Sequence, residues 1–149
     1  MAREGRFAAI VHGCNCFCRM GAGIALQIRK AFPEAYRADR ATPEGDRSKL
    51  GTISVGRVNR RALRLDVINA YTQFEWGGIG VRVDYGALVR CVRLVVGTYG
   101  PAPIGMPRIG AGLARGDWDT ILEIITMEAE NANITIVEYA PEDPTTPAP

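Results

Sequence analysis

The alternation of apolar and polar positions divides the chain into short strands and longer helices. Apolar runs at residues 7–11, 104–107 and 134–139 are typical of strands that are covered on both faces of a sheet. Two further runs, at residues 50–58 and 63–69, are separated by only four residues and predict an antiparallel hairpin. The pattern therefore predicts five strands in a mixed sheet.

Helical segments connect these runs. Apolar residues recur every three or four positions in residues 22–32, in the segment that follows Asp84, and in residues 118–131. Asp84 and Asp117 stand where N-caps belong, and residues 97–103 end the middle helix. Strands and helices thus alternate around one hairpin. This order predicts an α/β fold, a three-layer α/β/α sandwich with a mixed central sheet.

Length and composition place these elements in one domain. With 149 residues, 47% of them hydrophobic, the chain suffices for one buried core, which we assign to residues 1–139. Residues 140–149 contain four prolines and no core-forming residue, so we expect a disordered tail there. No apolar run reaches the roughly 18 residues of a membrane span, and no signal peptide precedes the first strand. We expect a cytoplasmic protein with no membrane partner.

Charge and cysteine spacing argue against two classes of function. A net charge of +2 is too small to predict a nucleic-acid partner. Cys14, Cys16 and Cys18 alternate along one loop, but structural zinc usually needs wider pairs and a nearby fourth ligand, and Cys91 lies in an apolar helical pattern. We therefore predict free thiols in a reducing compartment, and neither a metal nor a cofactor. The sequence gives no indication of oligomeric state.

Two glycine-rich loops carry the candidate chemistry. In the first, a strand leads through a polar loop to Gly21 and Gly23, which open a helix. In the second, a strand leads to Gly110 and Gly112, ahead of the helix that Asp117 caps. Glycine lets the backbone approach a ligand closely, and free N–H groups at a helix start favour an anion, most often a phosphate. Two such cradles in one domain predict a ligand with two linked phosphates.

Three motifs, in this order and at this spacing, resemble the macrodomain family of ADP-ribose-binding modules. They are VHGCNCFCRMGAGIA from residue 11, VINAYTQ from residue 67 and MPRIGAGLARGDW from residue 106. The chain is most similar to the branch that holds ADP-ribose-1″-phosphate phosphatases and terminal ADP-ribose protein glycohydrolases. The resemblance covers roughly residues 12–139. It implies a macrodomain fold with ADP-ribose as the ligand.

The resemblance also implies roles for individual residues. Asn15 matches the asparagine that holds the distal ribose, the sugar at which the family's chemistry occurs. The other implied ligand-binding residues belong to a first diphosphate loop, to a strand end that lines the cleft, and to a second loop that wraps the phosphates and the distal ribose. They are Met20, Gly21, Ala22, Gly23, Ile24, then Tyr71, Thr72, Gln73, and finally Arg108, Ile109, Gly110, Ala111, Gly112 and Leu113.

The chain departs from the family pattern in two places. Many macrodomains begin with another strand that ends in Gly-Asp, whose aspartate binds the adenine amino group. The residues before Phe7 provide no such strand, so we expect either a truncated chain or a different hold on adenine. The glycohydrolase branch pairs a lysine after the VINAYTQ-like strand with an aspartate in the second loop. Ala70 and Tyr71 occupy the first region here and Ala114 the aspartate position, so a covalent lysine route is not expected.

Two residues are candidates for catalysis, and each has an alternative role. His12, at the end of the first strand, is either a general acid or base, or a residue that only hydrogen-bonds a loop carbonyl. Asn15 either orients a ribose hydroxyl or a water, or stabilises its own turn. Trp76 and Trp118 either stack on adenine or pack against the loops.

Residues and resemblance together predict an ADP-ribose-binding domain that hydrolyses a terminal substituent of ADP-ribose. The favoured substrate is ADP-ribose-1″-phosphate, with His12 and Asn15 orienting the attacking water. Two alternatives stay open. One is a reader that binds ADP-ribose without turnover, which Ala114 favours. The other is a hydrolase that removes ADP-ribose from protein or nucleic acid, which the small net charge does not favour.

Overall fold

A computed structural model describes residues 6–138 as a five-stranded sheet with two helices on each face. The sheet order is β2-β3-β1-β4-β5. The strands are β1 (Ala9–Cys14), β2 (Ile53–Arg60), β3 (Leu63–Tyr71), β4 (Ile104–Met106) and β5 (Ile134–Ile136). The helices are α1 (Gly23–Ala31), α2 (Pro33–Arg40), α3 (Tyr85–Tyr99) and α4 (Trp118–Glu128), and a short 3₁₀ helix (Arg47–Lys49) precedes β2.

The sheet is mixed because one tight hairpin extends a parallel sheet. Strands β2 and β3 pair antiparallel. Strand β1 pairs in parallel with both β3 and β4, and β4 pairs in parallel with β5. Strands β1, β3 and β4 therefore end at the same edge of the sheet. The loops that follow them meet there, at the edge where open α/β sheets bind their ligands.

Side chains of β1 alternate between the two helical layers. Val11 belongs to one apolar cluster, together with Leu88 of α3 and Ile121 of α4. Ile10 belongs to the other, together with Phe32 at the junction of α1 and α2. Both clusters consist of buried side chains, so the sheet is covered on both faces, as its continuous apolar runs predict.

Helix α2 lies directly against the hairpin because β2 has a glycine at the point of contact. A Cβ atom on Gly56 would collide with the backbone nitrogen of Ala35 in α2. The absence of a side chain at this position lets the helix backbone approach the strand backbone. This approach fixes the position of α2, whose last turn carries Asp39.

The structure confirms the predicted α/β sandwich with a mixed sheet. It adds helix α2 to the three helical segments that the pattern predicts, and the other differences lie at the ends of elements. The sequence pattern ends the first strand at residue 11, whereas β1 continues to Cys14 and includes His12. Helix α3 continues past residue 97 to Tyr99 and is capped by Gly100, whose φ of 53° favours glycine. The predicted disordered tail, residues 140–149, lies outside the described residues. None of the helices in residues 6–138 is long and apolar enough to cross a membrane.

Candidate functional site

Three loops at the carboxyl edge of the sheet contain most of the predicted site residues. The exceptions lie in the adjoining strands and helix: His12 in β1, Tyr71 at the end of β3, and Gly23 and Ile24 at the start of α1. The first loop (residues 15–22) follows β1, the middle loop (residues 72–84) follows β3, and the last loop (residues 107–117) follows β4. Because all three strands run in the same direction, the three loops are neighbours. Contacts between them define the candidate site.

The first loop is folded around the side chain of Asn15. Its Oδ1 atom accepts hydrogen bonds from the backbone N–H groups of Phe17 at 2.9 Å and of Arg19 at 3.3 Å. Its Nδ2 atom donates to the backbone oxygen of Arg19 at 2.9 Å, and the residue is 7% exposed. This geometry supports the turn-stabilising role of Asn15. A contact between Asn15 and the distal ribose stays a prediction.

Backbone donors are exposed where the first loop enters α1. The helix has no side-chain cap and no acidic residue in its first turn. Within residues 6–138, no oxygen accepts a hydrogen bond from the N–H groups of Gly21, Ala22, Gly23 or Ile24. A Cβ atom on Gly21 would meet nothing within 4 Å. These free N–H groups, together with the helix dipole, can hold an anion.

The last loop provides a second set of free backbone donors. In the described part of the chain, the N–H groups of Gly110, Gly112 and Leu113 have no acceptor. The start of α4 is partly occupied, because Oδ2 of Asp117 accepts hydrogen bonds from the N–H and the hydroxyl of Thr120 at 3.0 and 2.6 Å. These bonds lower the pKa of Asp117. The N-cap role predicted for Asp117 is confirmed, and the contribution of this helix start to an anion site stays a prediction.

Contacts join the three loops into one continuous surface. The Cδ1 atom of Leu113 lies 3.0 Å from the position that a Cβ atom would take on Gly23. Leu113 is 69% exposed, so it bridges the first and last loops at their rim. The N–H groups of Arg82 and Val83 donate to the backbone oxygen of Ala114 at 2.7 and 3.3 Å, which attaches the middle loop to the last loop. The free N–H groups of the first and last loops therefore lie on two loops that are in contact, and the surface where these loops meet is named here the crevice.

His12 lies beneath this surface. Because β1 continues through residue 12, the imidazole turns toward α2 and is 1% exposed. Asn69 donates through Nδ2 to the backbone oxygen of Ala35 and accepts through Oδ1, at 2.7 Å, from Nε2 of His12. The proton is thus on Nε2, since a carboxamide oxygen only accepts. The imidazole thus lies below the candidate site, and a catalytic role for His12 stays a prediction that this burial does not support.

Burial of His12 predicts a loss of stability in mild acid. Burial lowers the pKa of His12 from 6.5 to about 4, an effect that the hydrogen bond with Asn69 only partly opposes. The unfolded chain binds a proton near pH 6.5, so the free energy of unfolding falls as the pH drops from 6.5 toward 4. We expect His12 to account for a loss of about 3 kcal/mol over this range.

Urea denaturation of the wild type and of His12→Gln at several pH values measures this loss. The glutamine retains a donor for Asn69 but does not titrate, so the variant should lack this part of the pH dependence. Equal pH dependence in the two proteins would contradict the inferred burial of a neutral imidazole.

A chain of buried and partly buried hydrogen bonds continues from His12 to Asp39 in α2. From Asn69, the Nδ2 atom also donates to Oγ of Ser54 at 3.0 Å, and Ser54 pairs with the hydroxyl of Tyr71 at 2.9 Å. The Tyr71 hydroxyl donates to Oδ1 of Asp39 at 2.8 Å. Burial raises the pKa of Asp39, although the bond from Tyr71 opposes this effect. The side chain of Tyr71 is fully buried on the α2 side, so a contact of this residue with the ligand stays a prediction for its backbone.

Lys49, which no sequence pattern marks, supports the first loop from below. The residue is 5% exposed, and Nζ donates to the backbone oxygen of Cys16 at 3.0 Å and to Sγ of Cys18 at 3.5 Å. The ammonium group also lies 4.7 Å from the ring centroid of Tyr71. Cys18 has a φ of 55°, so Lys49 holds the loop where its backbone is left-handed. The lysine lies in a short polar segment whose contacts depend on the tertiary fold.

The cysteines are buried free thiols. Burial raises the pKa of Cys14 and of Cys16, and it raises the pKa of Cys91 to about 12. These three thiols are therefore protonated, and poor nucleophiles, at neutral pH. Within residues 6–138, no group of three histidine, cysteine, aspartate or glutamate side chains is arranged to hold a metal ion.

The other predicted binding residues divide by exposure. Thr72 is fully buried, and its hydroxyl has no partner within the described residues; a Cβ atom on Gly13 would lie 2.9 Å from it. Gln73 is half-buried and donates to a backbone oxygen within the middle loop. The side chains of Met20 and Ile109 are buried, so only their backbone could reach a ligand. The remaining residues are at least partly exposed: Gly21, Ala22, Gly23, Ile24, Arg108, Gly110, Ala111, Gly112 and Leu113.

A known family matches most of the chain. The family model described as Macro domain matches residues 11–125, which include all three loops. An uncharacterized 17.5 kDa protein from the tk-vs intergenic region of Enterobacteria phage T4 is 41% identical over 138 residues. That alignment covers 89% of this chain and 86% of the phage protein.

Two more distant relatives are named as glycohydrolases. A DNA ADP-ribosyl glycohydrolase of Mycobacterium tuberculosis is 26% identical over 139 residues, which are 89% of this chain and 38% of the relative. The chain therefore spans less than half the length of that protein. The ADP-ribose glycohydrolase OARD1 of Bos taurus is 26% identical over 132 residues, which are 88% of this chain and 80% of the relative.

Solved structures have the same fold. The macrodomain of Thermus aquaticus DarG superposes with a TM-score of 0.71 at 22% identity and covers 95% of this chain and 94% of its own. Thermosipho africanus DarTG, solved in complex with ADP-ribose, superposes with a TM-score of 0.70 at 15% identity and covers 95% of this chain and 40% of its own. At these identities the likeness establishes the fold alone.

Proposed function

This chain belongs to the Macro domain family, and from that premise we propose that it binds ADP-ribose at the three loops and hydrolyses a substituent on the distal ribose. One observation carries the proposal. Two loops from distant parts of the chain, joined by Leu113 and Gly23, offer free backbone N–H groups around a single crevice. A diphosphate has the closely spaced anionic oxygens that such groups bind. The relatives named for ADP-ribosyl chemistry and the DarTG complex with ADP-ribose support this ligand.

We propose ADP-ribose-1″-phosphate as the substrate, which water would convert to ADP-ribose and phosphate. The positions at which the family resemblance implies a lysine and an aspartate hold Ala70, Tyr71 and Ala114, all of them at most 5% exposed. These positions provide neither an amine nor a carboxylate. A phosphate ester needs neither, provided that the loops hold it in place and that N–H groups stabilise the negative charge of the transition state.

Binding and turnover are tested separately. Isothermal titration calorimetry with ADP-ribose measures binding, and phosphate release from ADP-ribose-1″-phosphate measures turnover. We expect both, with equal rates for the wild type and His12→Gln, because the imidazole is buried. Absence of ADP-ribose binding would remove the proposed ligand. Binding without phosphate release would remove the phosphatase and leave either a reader of ADP-ribose or the second function described next.

A second candidate function is removal of ADP-ribose from a macromolecule, which the names of two relatives favour. The same assay with ADP-ribose linked to single-stranded DNA, or linked as an ester to a glutamate peptide, distinguishes the two functions. Release from either linkage without hydrolysis of the phosphate would establish this second function.

We also propose a cytoplasmic location, since four free thiols fit a reducing compartment.

A further inference from the structure

Beside the crevice, five side chains form a continuous row of aromatic rings and guanidinium groups, named here the aromatic ladder. In order they are Arg47, Phe74, Phe17, Trp76 and Arg19. The Arg47 guanidinium lies 3.9 Å from the ring centroid of Phe74, and the Phe74 and Phe17 centroids are 5.0 Å apart. The Phe17 and Trp76 centroids are 5.3 Å apart, and the Arg19 guanidinium lies 5.2 Å from the Trp76 ring. The ladder thus joins the first loop, the middle loop and the 3₁₀ helix.

The aromatic ladder is open to solvent and positively charged. Trp76 is 49% exposed, both arginines are exposed, and the two phenylalanines are half-buried. Within residues 6–138, neither Arg19 nor Arg47 forms an ion pair with a carboxylate. Glu75, which lies between the two ladder residues of the middle loop, is paired with Arg82 at 3.5 Å. Two uncompensated positive charges therefore flank exposed aromatic surface.

We propose that the aromatic ladder binds single-stranded nucleic acid, with bases stacked on its rings and backbone phosphates at Arg19 and Arg47. Sites for single strands combine these two elements, because aromatic rings stack on any base and guanidinium groups contact both phosphates and rings. In a duplex the faces of the bases are already stacked on one another, so the ladder selects single strands. The net charge of the whole chain, +2, does not predict this site, because the positive charges of Arg19 and Arg47 are concentrated in one part of the surface.

The ladder leads into the crevice. Arg19 is followed by Met20 and then by Gly21, whose free N–H group belongs to the proposed diphosphate site. A strand bound along the ladder therefore places one nucleotide beside that site. This placement of the nucleotide rests on the proposed function. An ADP-ribose attached to a single strand that is bound in this way would be accessible to the loops.

Fluorescence anisotropy with a labelled oligothymidine that carries no ADP-ribose tests the ladder. We expect Trp76→Leu and Arg47→Gln each to weaken binding about tenfold, because each removes a stacking or phosphate contact. Trp76→Phe should retain most of the affinity, since it keeps an aromatic face. The matched control is Arg29→Gln. Arg29 lies in the last turn of α1, and its guanidinium is 4.0 Å from the centroid of the Tyr36 ring. This substitution also removes a guanidinium from an aromatic ring, but it should not affect oligonucleotide binding. A duplex of the same length should compete weakly.

Three outcomes would overturn the inference: no binding by the wild type, wild-type affinity in Trp76→Leu, or equal competition by the duplex, which indicates attraction by charge alone. Calorimetry with ADP-ribose on the same proteins separates this inference from the proposed function. Arg47→Gln should bind ADP-ribose as the wild type does. Oligonucleotide binding without ADP-ribose binding would overturn the proposed function and retain the ladder, and the reverse result would overturn the ladder alone.

Discussion

Gly112→Val is expected to bind ADP-ribose at least about a hundredfold more weakly than the wild type while it folds normally. A Cβ atom on Gly112 meets nothing within 4 Å, and its backbone is not left-handed, so the substitution introduces no strain. The valine side chain instead occupies the space in front of the free N–H groups of the last loop. Hydrogen bonds to a charged group contribute about 1.5–3 kcal/mol each. Loss of two such bonds is enough for the expected decrease. Calorimetry and thermal denaturation measure the two effects.

The control for this substitution is Gly97→Val. Gly97 lies in α3, away from the loops, and a Cβ atom there also meets nothing within 4 Å. The control should bind ADP-ribose with wild-type affinity, and Gly21→Val, on the first loop, should behave like Gly112→Val. Wild-type affinity in both loop variants would show that the ligand does not contact these backbones.

Gly56→Ala is expected to lower the free energy of unfolding by about 3 kcal/mol. The added methyl group would collide with the backbone nitrogen of Ala35, and the Cα atom of that residue lies only 2.5 Å away. A flexible side chain could rotate aside, but a helix backbone cannot, so α2 must shift away from the hairpin. Urea denaturation measures the change. The matched Gly97→Ala should instead gain up to about 1 kcal/mol, as expected for alanine in a helix. Unchanged stability in Gly56→Ala would mean that α2 is not packed against β2.

Local patterns predict the architecture because its elements are bounded by local signals. Continuous apolar runs mark the covered strands, and Asp84 and Asp117 cap their helices as their positions indicate. The end of β1 was not predictable in this way. His12 and Gly13 do not continue an apolar run, and only the pairing of β1 with β3 shows that the strand includes them.

The candidate site, too, is predictable from the sequence only where a feature depends on local residues. Free backbone donors follow from Gly21 and Gly112, because the absence of a side chain is a property of the residue itself. The contacts that support the first loop from below could not be predicted, because they depend on the tertiary fold. The contacts of Lys49 with Cys16 and Cys18 join segments about thirty residues apart, and the aromatic ladder joins the first loop to a middle loop even further along the chain.

Both tryptophans of the chain lie beside the crevice. Trp76 is part of the aromatic ladder, and the Trp118 ring at the start of α4 lies 4.9 Å from the guanidinium of Arg108 in the last loop. Since there is no other indole, the tryptophan fluorescence of the unlabelled protein, excited where the five tyrosines do not absorb, comes from these two rings and carries no background from a distant one. In Trp76→Phe, the fluorescence of the remaining Trp118 would report ligand binding near the last loop. In Trp118→Phe, the fluorescence of the remaining Trp76 would report binding near the aromatic ladder.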